Sequence, residues 1–317
     1  MRFWLSVLLS LSCFAAWAWP TKPVRIVVAY PPGGGIDVLA RQLADKLSPA
    51  WGQPVVVENK PGANTILATD TVAKSAADGH TILMTSDATF SINPHLYARL
   101  PYDVERDFTP VTMLVLLQQL LVAHPAVPFN DLKGLIDAAK AKPGSINYAS
   151  YGSGSQPHLA AEMLKNKAGI DLVHVPYKGI SLAVPAVMAG EVQLTFAGIA
   201  TSMPQLKAGR IKALAIGGEA RSPLLPQVPT FAELGYPEVE THAWFGLFLP
   251  AGSPREAVDR IYRDTKKIIE ESDFRQRQLV EKGYEVVGSS PADFVNYLKK
   301  DRESRGRAVK VSGAKAE

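Results

Sequence analysis

The chain has 317 residues, 47% of them hydrophobic, and its 34 Lys and Arg against 30 Asp and Glu give a formal net charge of +4. The basic residues are dispersed, so this charge is a mildly basic surface and argues against a nucleic-acid-binding protein. Cys13 is the only cysteine and lies in a segment that we expect to be removed, which excludes disulfides, thiolate metal sites and cysteine nucleophiles. The length favours two domains, because single cores stop growing at about 250–300 residues.

Residues 1–18 have the parts of a secretory signal peptide. Arg2 is the only charge before Lys22, an apolar run over 3–14 follows it, and Ala16-Trp17-Ala18 ends the segment with small residues. The apolar run is shorter than the roughly 20 residues that span a bilayer. The sequence predicts cleavage near Ala18, with an uncleaved membrane anchor or a lipoprotein acylated at Cys13 as the alternatives.

Strands and helices alternate after the signal peptide. A β-branched run over 24–30 predicts a strand, and the following helix places its apolar residues at i, i+3, i+4, i+7 and i+11. This face consists of Ile36, Leu39, Ala40, Leu43 and Leu47. The next predicted elements are a strand over 54–58, a helix over 65–75 and a strand over 80–85. Such a series indicates a parallel sheet with helices on its faces.

A second alternating series follows the apolar run 111–123. Asn130 is expected to cap its first helix, and Pro157 is expected at the first position of a later one. The predicted strands span 146–150, 171–177, 192–199 and 211–216. Helices are predicted over 130–139, from 157 onward, over 181–189 and over 201–208.

The last third of the chain is expected to return to the first series. A strand over 242–250 precedes a capping box at Ser253-Pro254-Arg255-Glu256, and further helices are predicted over about 274–281 and 291–305. The fold class is therefore α/β with two lobes, each a mostly parallel sheet flanked by helices. Residues 19–120 with 245–317 form the first lobe and 121–244 the second, joined by a two-strand hinge near 117–121 and 243–247.

Ligands of open parallel sheets bind beyond the carboxyl ends of the strands, where three loops qualify. In the first loop, glycines bring backbone N–H groups and a helix N-terminus to one point, which favours an anion site. The alternative is a plain tight turn. Asp37 could interact favourably with the helix dipole, bind a ligand amine or orient the glycine loop. The expected contacts are Tyr30, Pro32, Gly34, Gly35, Ile36 and Asp37.

The other two loops follow later strands. The second, Tyr151-Gly152-Ser153-Gly154-Ser155, leads into a helix of the opposite lobe, so two helix N-termini could hold a ligand with two carboxylates. His158 could cap that helix, pack between the lobes or touch ligand. In the third loop Ser86 or the Ala88 backbone could donate to the same ligand, whereas Asp87 should point away or cap the next segment. Lys178 is either a cleft charge or an exposed lysine.

The sequence lacks the motifs of common enzymes. It contains no phosphate-binding loop, nucleophile elbow or zinc-protease motif, and its histidines are scattered, so no cofactor, metal or catalytic residue is expected. A secreted hydrolase built on Ser155 and His158 remains as an alternative.

Ordered motifs along nearly the whole mature chain resemble the Bug family, the extracytoplasmic receptors of tripartite tricarboxylate transporters. They include Pro31-Pro32-Gly33-Gly34, Gln53-Pro54-Val55-Val56-Val57-Glu58-Asn59-Lys60-Pro61-Gly62-Ala63, Asn93-Pro94, Leu100-Pro101-Tyr102-Asp103, Pro157-His158-Leu159-Ala160, His174-Val175-Pro176-Tyr177-Lys178-Gly179 and Trp244-Phe245-Gly246-Leu247.

The resemblance implies a monomeric periplasmic solute-binding protein with a type II-like two-lobed fold. Its ligands would be small carboxylates: dicarboxylates or tricarboxylates, amino acids or aromatic acids. Its partners would be the membrane permease subunits of a tripartite transporter or, for a periplasmic sensor, a sensor kinase. Where many members read Phe-Asp-Asn, this chain has Phe196-Ala197-Gly198, and we place Phe196 and Ala197 in the site. Without that aspartate we expect amino acids to bind poorly, while Ile36, Phe196 and Tyr151 favour an apolar or aromatic carboxylate.

Overall fold

The structure, a computed structural model, describes residues 19–177, 179–218, 220–239 and 241–314. The predicted signal peptide and Lys178 lie outside these residues. Across the described ranges, no helix combines the length and apolar character needed to cross a membrane. Trp19, the first described residue, is buried and packs edge-on against Trp51, with ring centroids 4.9 Å apart.

The strands of the described residues form two sheets. In chain order they are β1 (Val24–Val28), β2 (Val55–Asn59), β3 (Thr81–Ser86), β4 (Phe108–Leu117), β5 (Gln119–Ala123), β6 (Asn147–Ser150), β7 (Val173–Pro176), β8 (Leu194–Gly198), β9 (Lys212–Ile216), β10 (Ala243–Pro250) and β11 (Tyr284–Val286). The short strand β11 has no counterpart in the sequence-based prediction.

Helices flank both sheets. They are α1 (Gly35–Trp51), α2 (Ile66–Ala73), α3 (Asn93–Leu96), α4 (Leu132–Ala141), α5 (Gln156–Ala168), α6 (Ile180–Ala189), α7 (Ile199–Lys207), α8 (Arg255–Glu270), α9 (Ser272–Phe274) and α10 (Pro291–Ser312). A π-helical turn over Ala88–Ile92 precedes α3, and π and 3-10 turns over Arg275–Leu279 and Val280–Lys282 follow α9.

Each sheet combines parallel and antiparallel pairs. The first has the order β11-β4-β10-β3-β1-β2 and the second the order β7-β6-β8-β5-β9. β1 is parallel to β2 and β3, and β6 is parallel to β7 and β8. β10 and β5 are antiparallel to both of their neighbours. The two-lobed α/β fold is confirmed: four of the six strands in the first sheet and four of the five in the second run in one direction, and the crossover strands β10 and β5 run against their neighbours.

The chain crosses between the sheets at two adjacent places. β4 ends at Leu117 and β5 begins at Gln119, and the return enters β10 at Ala243. The Gln119 carbonyl accepts hydrogen bonds from Gly217 N–H at 2.9 Å and from the Thr241 hydroxyl at 3.2 Å. The outgoing and returning segments therefore lie side by side, as in a hinge.

The last helix contacts both lobes, whereas the sequence placed it on the first alone. The Ser290 hydroxyl caps α10 by accepting from Asp293 N–H at 3.1 Å, and Phe294 is buried in the first-lobe core. Toward its other end, Val309 joins an apolar cluster with Leu159 of α5 and Leu96 of α3. α10 therefore forms a third link between the lobes.

Two predicted helix caps are wrong. Asp131, not Asn130, caps α4, by accepting a hydrogen bond from Gly134 N–H at 2.7 Å. Ser253 does not cap α8: Pro254 occupies the cap position, and the Ser253 hydroxyl donates instead to the Pro250 carbonyl at 2.8 Å. A short hydroxyl side chain forms a hydrogen bond with the nearest carbonyl of its own turn as readily as with a helix amide.

The predicted apolar face of α1 is confirmed. Ile36, Leu39, Ala40, Leu43 and Leu47 are all buried in the cluster beneath the first sheet. Full burial of a leucine side chain contributes roughly 1.5–3 kcal/mol. This face therefore fixes the helix, and with it the position of the helix N-terminus at the sheet edge.

We expect Leu43→Ala to lower the free energy of unfolding by about 2–5 kcal/mol, because the substitution leaves a cavity in a fully buried position. Val38 lies on the same helix but is 44% exposed, so Val38→Ala is the matched control, with an expected change of about 0.5 kcal/mol or less. Urea unfolding followed by circular dichroism measures both values. Equal losses would contradict this assignment of the buried face.

Candidate functional site

The first glycine loop joins β1 to α1. Gly33 has φ +85°, a conformation that favours glycine, and Gly34 occupies the N-cap position of α1 without any side-chain cap. A helix without a cap leaves its first N–H groups for another acceptor. Pro31, Pro32, Gly33 and Gly35 are exposed at this end of the helix. The loop therefore presents backbone donors and no charged side chain.

Asp37 supports this loop from behind. Its carboxylate accepts hydrogen bonds from Gly33 N–H at 2.8 Å, from Asn59 at 2.8 Å and from Arg41 at 2.9 and 3.1 Å. Burial disfavours the charged carboxylate, but the bonds from Arg41, Gly33 and Asn59 outweigh it and lower the pKa of Asp37. These contacts correspond to the loop-orienting alternative and leave the carboxylate 2% exposed.

The third loop lies beside the first at the same sheet edge. The Tyr30 and Ser86 hydroxyls form a hydrogen bond of 2.6 Å, and the Ser86 oxygen also accepts from Ala88 N–H at 3.2 Å. Burial is the main cause that raises the pKa of Tyr30, so its hydroxyl stays protonated and can donate. Tyr30, Ser86 and Ala88 are thus brought together as predicted.

The second glycine loop joins β6 to α5. Gly152 and Gly154 have φ values of +129° and +74°. Ser155 occupies the N-cap position but makes no cap: its hydroxyl donates to the Gly152 carbonyl at 2.6 Å. The Ser150 hydroxyl accepts from Gly152 N–H at 3.1 Å, which holds the loop from inside. At the N-terminus of α5, as at that of α1, the side chain of the cap residue accepts no hydrogen bond from the helix amides.

His158 supports the second loop instead of presenting a free ring. Its Nδ1 accepts from Gly154 N–H at 2.9 Å, and its ring stacks on His174 with centroids 4.0 Å apart. His174 is hydrogen-bonded to the Ser150 hydroxyl at 2.6 Å. Burial, together with His158 and Lys165, lowers the pKa of His174 to about 4, so this ring is neutral at physiological pH. The Ser155 hydroxyl donates its hydrogen bond to a carbonyl, so this serine is not activated as the nucleophile of a hydrolase.

Three predicted contacts have their side chains in the cores. Ile36 packs in the first-lobe core, and Phe196 lies in the second-lobe core with its ring centroid 6.0 Å from that of Phe231. Ala197 points to the opposite face of the same strand and is fully buried. Only the Phe196 carbonyl reaches the second loop, where it accepts from the Tyr151 hydroxyl at 2.6 Å. The Phe196 ring therefore packs in the core, and ligand contact through this residue stays a prediction.

The two lobes meet around these loops. A side chain at Gly154 would overlap Leu96 of the first lobe, and one at Gly283 would overlap Ile199, the first residue of α7 in the second lobe. The carboxylate of Asp87 acts on both Tyr30 and Tyr151, where it adds to burial in raising the pKa of each hydroxyl. The three loops are therefore neighbours where the two lobes meet.

Sequence reasoning missed several residues of this region. His174 supports the second loop, and the Tyr284 hydroxyl lies against the Cα of Gly35. His174 opens one of the family motifs but had no predicted role, and Tyr284 belongs to none of the quoted motifs. Asp87 was recognised in the third loop, but its neighbours Arg305 and Asp301 lie more than 200 residues further along the chain. No local spacing connects residues so far apart.

Comparisons with known proteins converge on one family. Residues 39–313 match the model described as Tripartite tricarboxylate transporter family receptor. The UPF0065 protein in the tcbD-tcbE intergenic region of Pseudomonas sp. (strain P51) is 37% identical over 90% of this chain and 85% of its own. BugT of Bordetella pertussis (strain Tohama I / ATCC BAA-589 / NCTC 13251) is 35% identical over 86% and 82%, respectively.

Solved structures give the same result. Rpa4515 of R. palustris, determined with adipate, superimposes with a TM-score of 0.88 at 33% identity and covers 94% of this chain and 99% of its own. MatC of Rhodopseudomonas palustris, with bound malate, has a TM-score of 0.84 at 30% identity and covers 92% and 100%.

We expect Asp37→Ala to lower the free energy of unfolding by about 1–3 kcal/mol at pH 7, because partly buried donors lose a charged acceptor. Since its pKa is lowered in the folded state, this contribution is complete above the ordinary aspartate pKa and disappears as the pH falls below it. Asp137, in an exposed i,i+4 pair with Lys133, is the matched control, and its alanine variant should change stability by less than about 0.5 kcal/mol. Urea titrations from pH 7 downward test this; a pH-independent difference would contradict it.

Proposed function

This chain belongs to the tripartite tricarboxylate transporter receptor family, and from that premise we propose that its cleft captures a small dicarboxylate and closes on it without altering it. The observation that carries the proposal is the pair of helices α1 and α5, whose N-termini lack side-chain caps in opposite lobes. Each N-terminus offers backbone N–H groups and about half a positive charge, which suits one carboxylate.

The site residues of this proposal belong to the three loops. Backbone donors come from Gly34 and Gly35 and from the first turn of α5, since the amides of Gly152, Gly154 and Ser155 already donate within the second loop. The Tyr30 and Ser86 hydroxyls bond to each other, so this pair supplies one hydroxyl donor. Pro32 and Ser153 complete the walls, while Asp37 and His158 hold the glycine loops in place. No arginine is required, because helix ends and oriented amides already favour an anion.

An aliphatic diacid fits this cleft better than an aromatic acid. Two of the three side chains that suggested an aromatic ligand, Ile36 and Phe196, are packed in the lobe cores, and the Tyr151 hydroxyl is bonded to a carbonyl. Adipate and malate, bound by the two Rhodopseudomonas proteins, are aliphatic dicarboxylates. Amino acids remain poor candidates, because Ala197 offers no carboxylate to an ammonium group.

We further propose that the receptor is a monomer in the periplasm after removal of residues 1–18 and that it delivers ligand to membrane permease subunits. The predicted lobe limits, 19–120 with 245–317 and 121–244, belong to the same proposal. A periplasmic sensor would use the same cleft and differ in its partner, a sensor kinase. The solved relatives are binding proteins and not enzymes, which agrees with release of an unaltered ligand.

Isothermal titration with adipate and malate tests the ligand class. We expect at least one diacid to bind, and hexanoate, which has the carbon chain of adipate with a single carboxylate, to bind at least about tenfold more weakly. A charge-assisted hydrogen bond contributes about 1.5–3 kcal/mol, so the loss of one carboxylate removes that much or more.

Benzoate and glutamate complete the ligand series. Tight binding of either one, without any response to diacids or tricarboxylates, would contradict the proposal. Recovery of a hydrolysed or otherwise altered ligand after incubation would contradict the receptor role.

The α1 N-terminus can be tested separately with two substitutions at Gly34, where an added Cβ meets only the Pro31 carbonyl at 3.8 Å. Aspartate is a favoured N-cap residue, so Gly34→Asp should leave the melting temperature unchanged or slightly higher. Its carboxylate takes the place of the ligand anion, and we expect affinity for the diacid to fall at least about 100-fold. Gly34→Asn, the uncharged control, should lose less. Equal affinity of Gly34→Asp and the unmodified protein would exclude α1 from the site.

A further inference from the structure

A buried group of charges lies where the C-terminal helix meets the cleft. Arg305 of α10 is 3.4 Å from the Asp301 carboxylate on the same helix and 3.8 Å from the Asp87 carboxylate that follows β3. The three side chains are 1%, 2% and 3% exposed. One guanidinium thus lies between two carboxylates that water does not reach.

This group also contacts the return crossover between the lobes. Arg305 donates a hydrogen bond to the backbone carbonyl of His242, the residue before β10. Trp244, inside β10, donates from its indole N–H to Asp301 at 2.8 Å. The His242 ring nitrogen is 4.0 Å from the same carboxylate. A change of lobe orientation at this crossover therefore changes the surroundings of the charges.

The two carboxylates are not equivalent. Asp301 has a direct hydrogen bond from Trp244, whereas Oδ2 of Asp87 accepts no hydrogen bond from any residue in the described ranges. At 3.8 Å, the Arg305 nitrogen is too distant to donate one. A buried carboxylate oxygen without a donor is costly when charged and much less costly when protonated. Asp87 is therefore the member of the group that takes a proton most readily.

The surroundings of Asp87 agree with this assignment. Burial raises the pKa of Asp87 to about 6; Arg305 opposes the shift and Asp301 adds to it, while the Ser86 hydroxyl and the Ala88 N–H lower it. Tyr30, in the segment after β1, and Tyr151, from the second lobe, face it as neutral phenols.

We propose that Asp87 couples ligand capture to proton uptake: the receptor closes on the anionic ligand while this carboxylate takes one proton from the solvent. The inference rests on the proposed function, since the incoming ligand must carry negative charge. Two effects act in the same direction. Tyr151 of the second lobe keeps water from Asp87 where the lobes are together, as in this structure, and a bound ligand adds a negative charge beside the carboxylate.

Linkage then fixes the sign of the pH dependence. Where Asp87 is already protonated in the free receptor, binding takes up no proton and affinity does not depend on pH. Above the pKa of Asp87 in the free receptor and below its higher pKa in the ligand-bound receptor, each binding event takes up a proton, so affinity decreases as the pH rises, by up to about tenfold per pH unit. Acidic conditions therefore favour capture and alkaline conditions favour release.

Calorimetric titration of the unmodified receptor with adipate, or with malate if adipate does not bind, tests the inference directly. At pH 7 the heat should depend on the ionisation enthalpy of the buffer, with a slope that corresponds to a substantial fraction of one proton taken up. Asp87→Asn should abolish this dependence and increase affinity at pH 8 by about tenfold. Asp137→Asn, on the surface of α4, is the matched control and should behave like the unmodified protein.

The outcomes separate this inference from the proposed function. Tight diacid binding without buffer dependence, or with equal proton uptake in Asp87→Asn, overturns the proton coupling and leaves the receptor role intact. If no diacid binds, the proposed function fails, and stability of the ligand-free protein decides the inference: Asp87→Asn should unfold at higher urea than the unmodified protein at pH 8 and at equal urea near pH 4. Equal unfolding at both pH values would overturn it.

Discussion

The proposed site depends on one constraint, the supply of positive potential to an anion by loops that carry no positively charged side chain. Helices α1 and α5 begin at glycine-rich loops, and neither cap residue, Gly34 or Ser155, makes a side-chain cap. The remaining side chains nearby serve this arrangement. Asp37 holds the first loop and His158 the second, each by accepting an N–H from a glycine of its own loop. Both supports are buried, so the donor geometry does not rely on flexible surface groups.

The connection between the lobes follows from the same requirement. If the two helix ends are to meet one ligand, each lobe must be rigid and the link between them must bend. Apolar clusters on both faces of each sheet supply the rigidity. Adjacent antiparallel crossovers at Gln119 and Ala243 supply the link, and they make both sheets mixed. The C-terminal helix adds a third contact that reaches α5 through Val309.

The sequence predicted most elements and the three loops because their signals are local. The spacing of Ile36 to Leu47 defines a helix face, and glycine runs between a strand and a helix mark the loops. It failed where the decisive contact is between distant segments. The ring of Phe196 points into the core because side-chain alternation and strand pairing determine which face of the sheet it lies on. Composition alone does not specify that face. Asp87 and Arg305 come together only when the last helix packs back on the first lobe. The Ser253 hydroxyl donates to a carbonyl of its own turn instead of accepting from the helix amides.

The contact between Leu96 and Gly154 sets a limit on how far the lobes approach each other. The leucine side chain lies directly against the bare α-carbon of the glycine, in the space that any side chain at position 154 would need. The closest approach of the lobes at this point is therefore set by a contact between an aliphatic side chain and a glycine hydrogen atom, within the second loop of the proposed site. Ligands of different lengths must be accommodated by the angle between the lobes, since this point of contact cannot be compressed further.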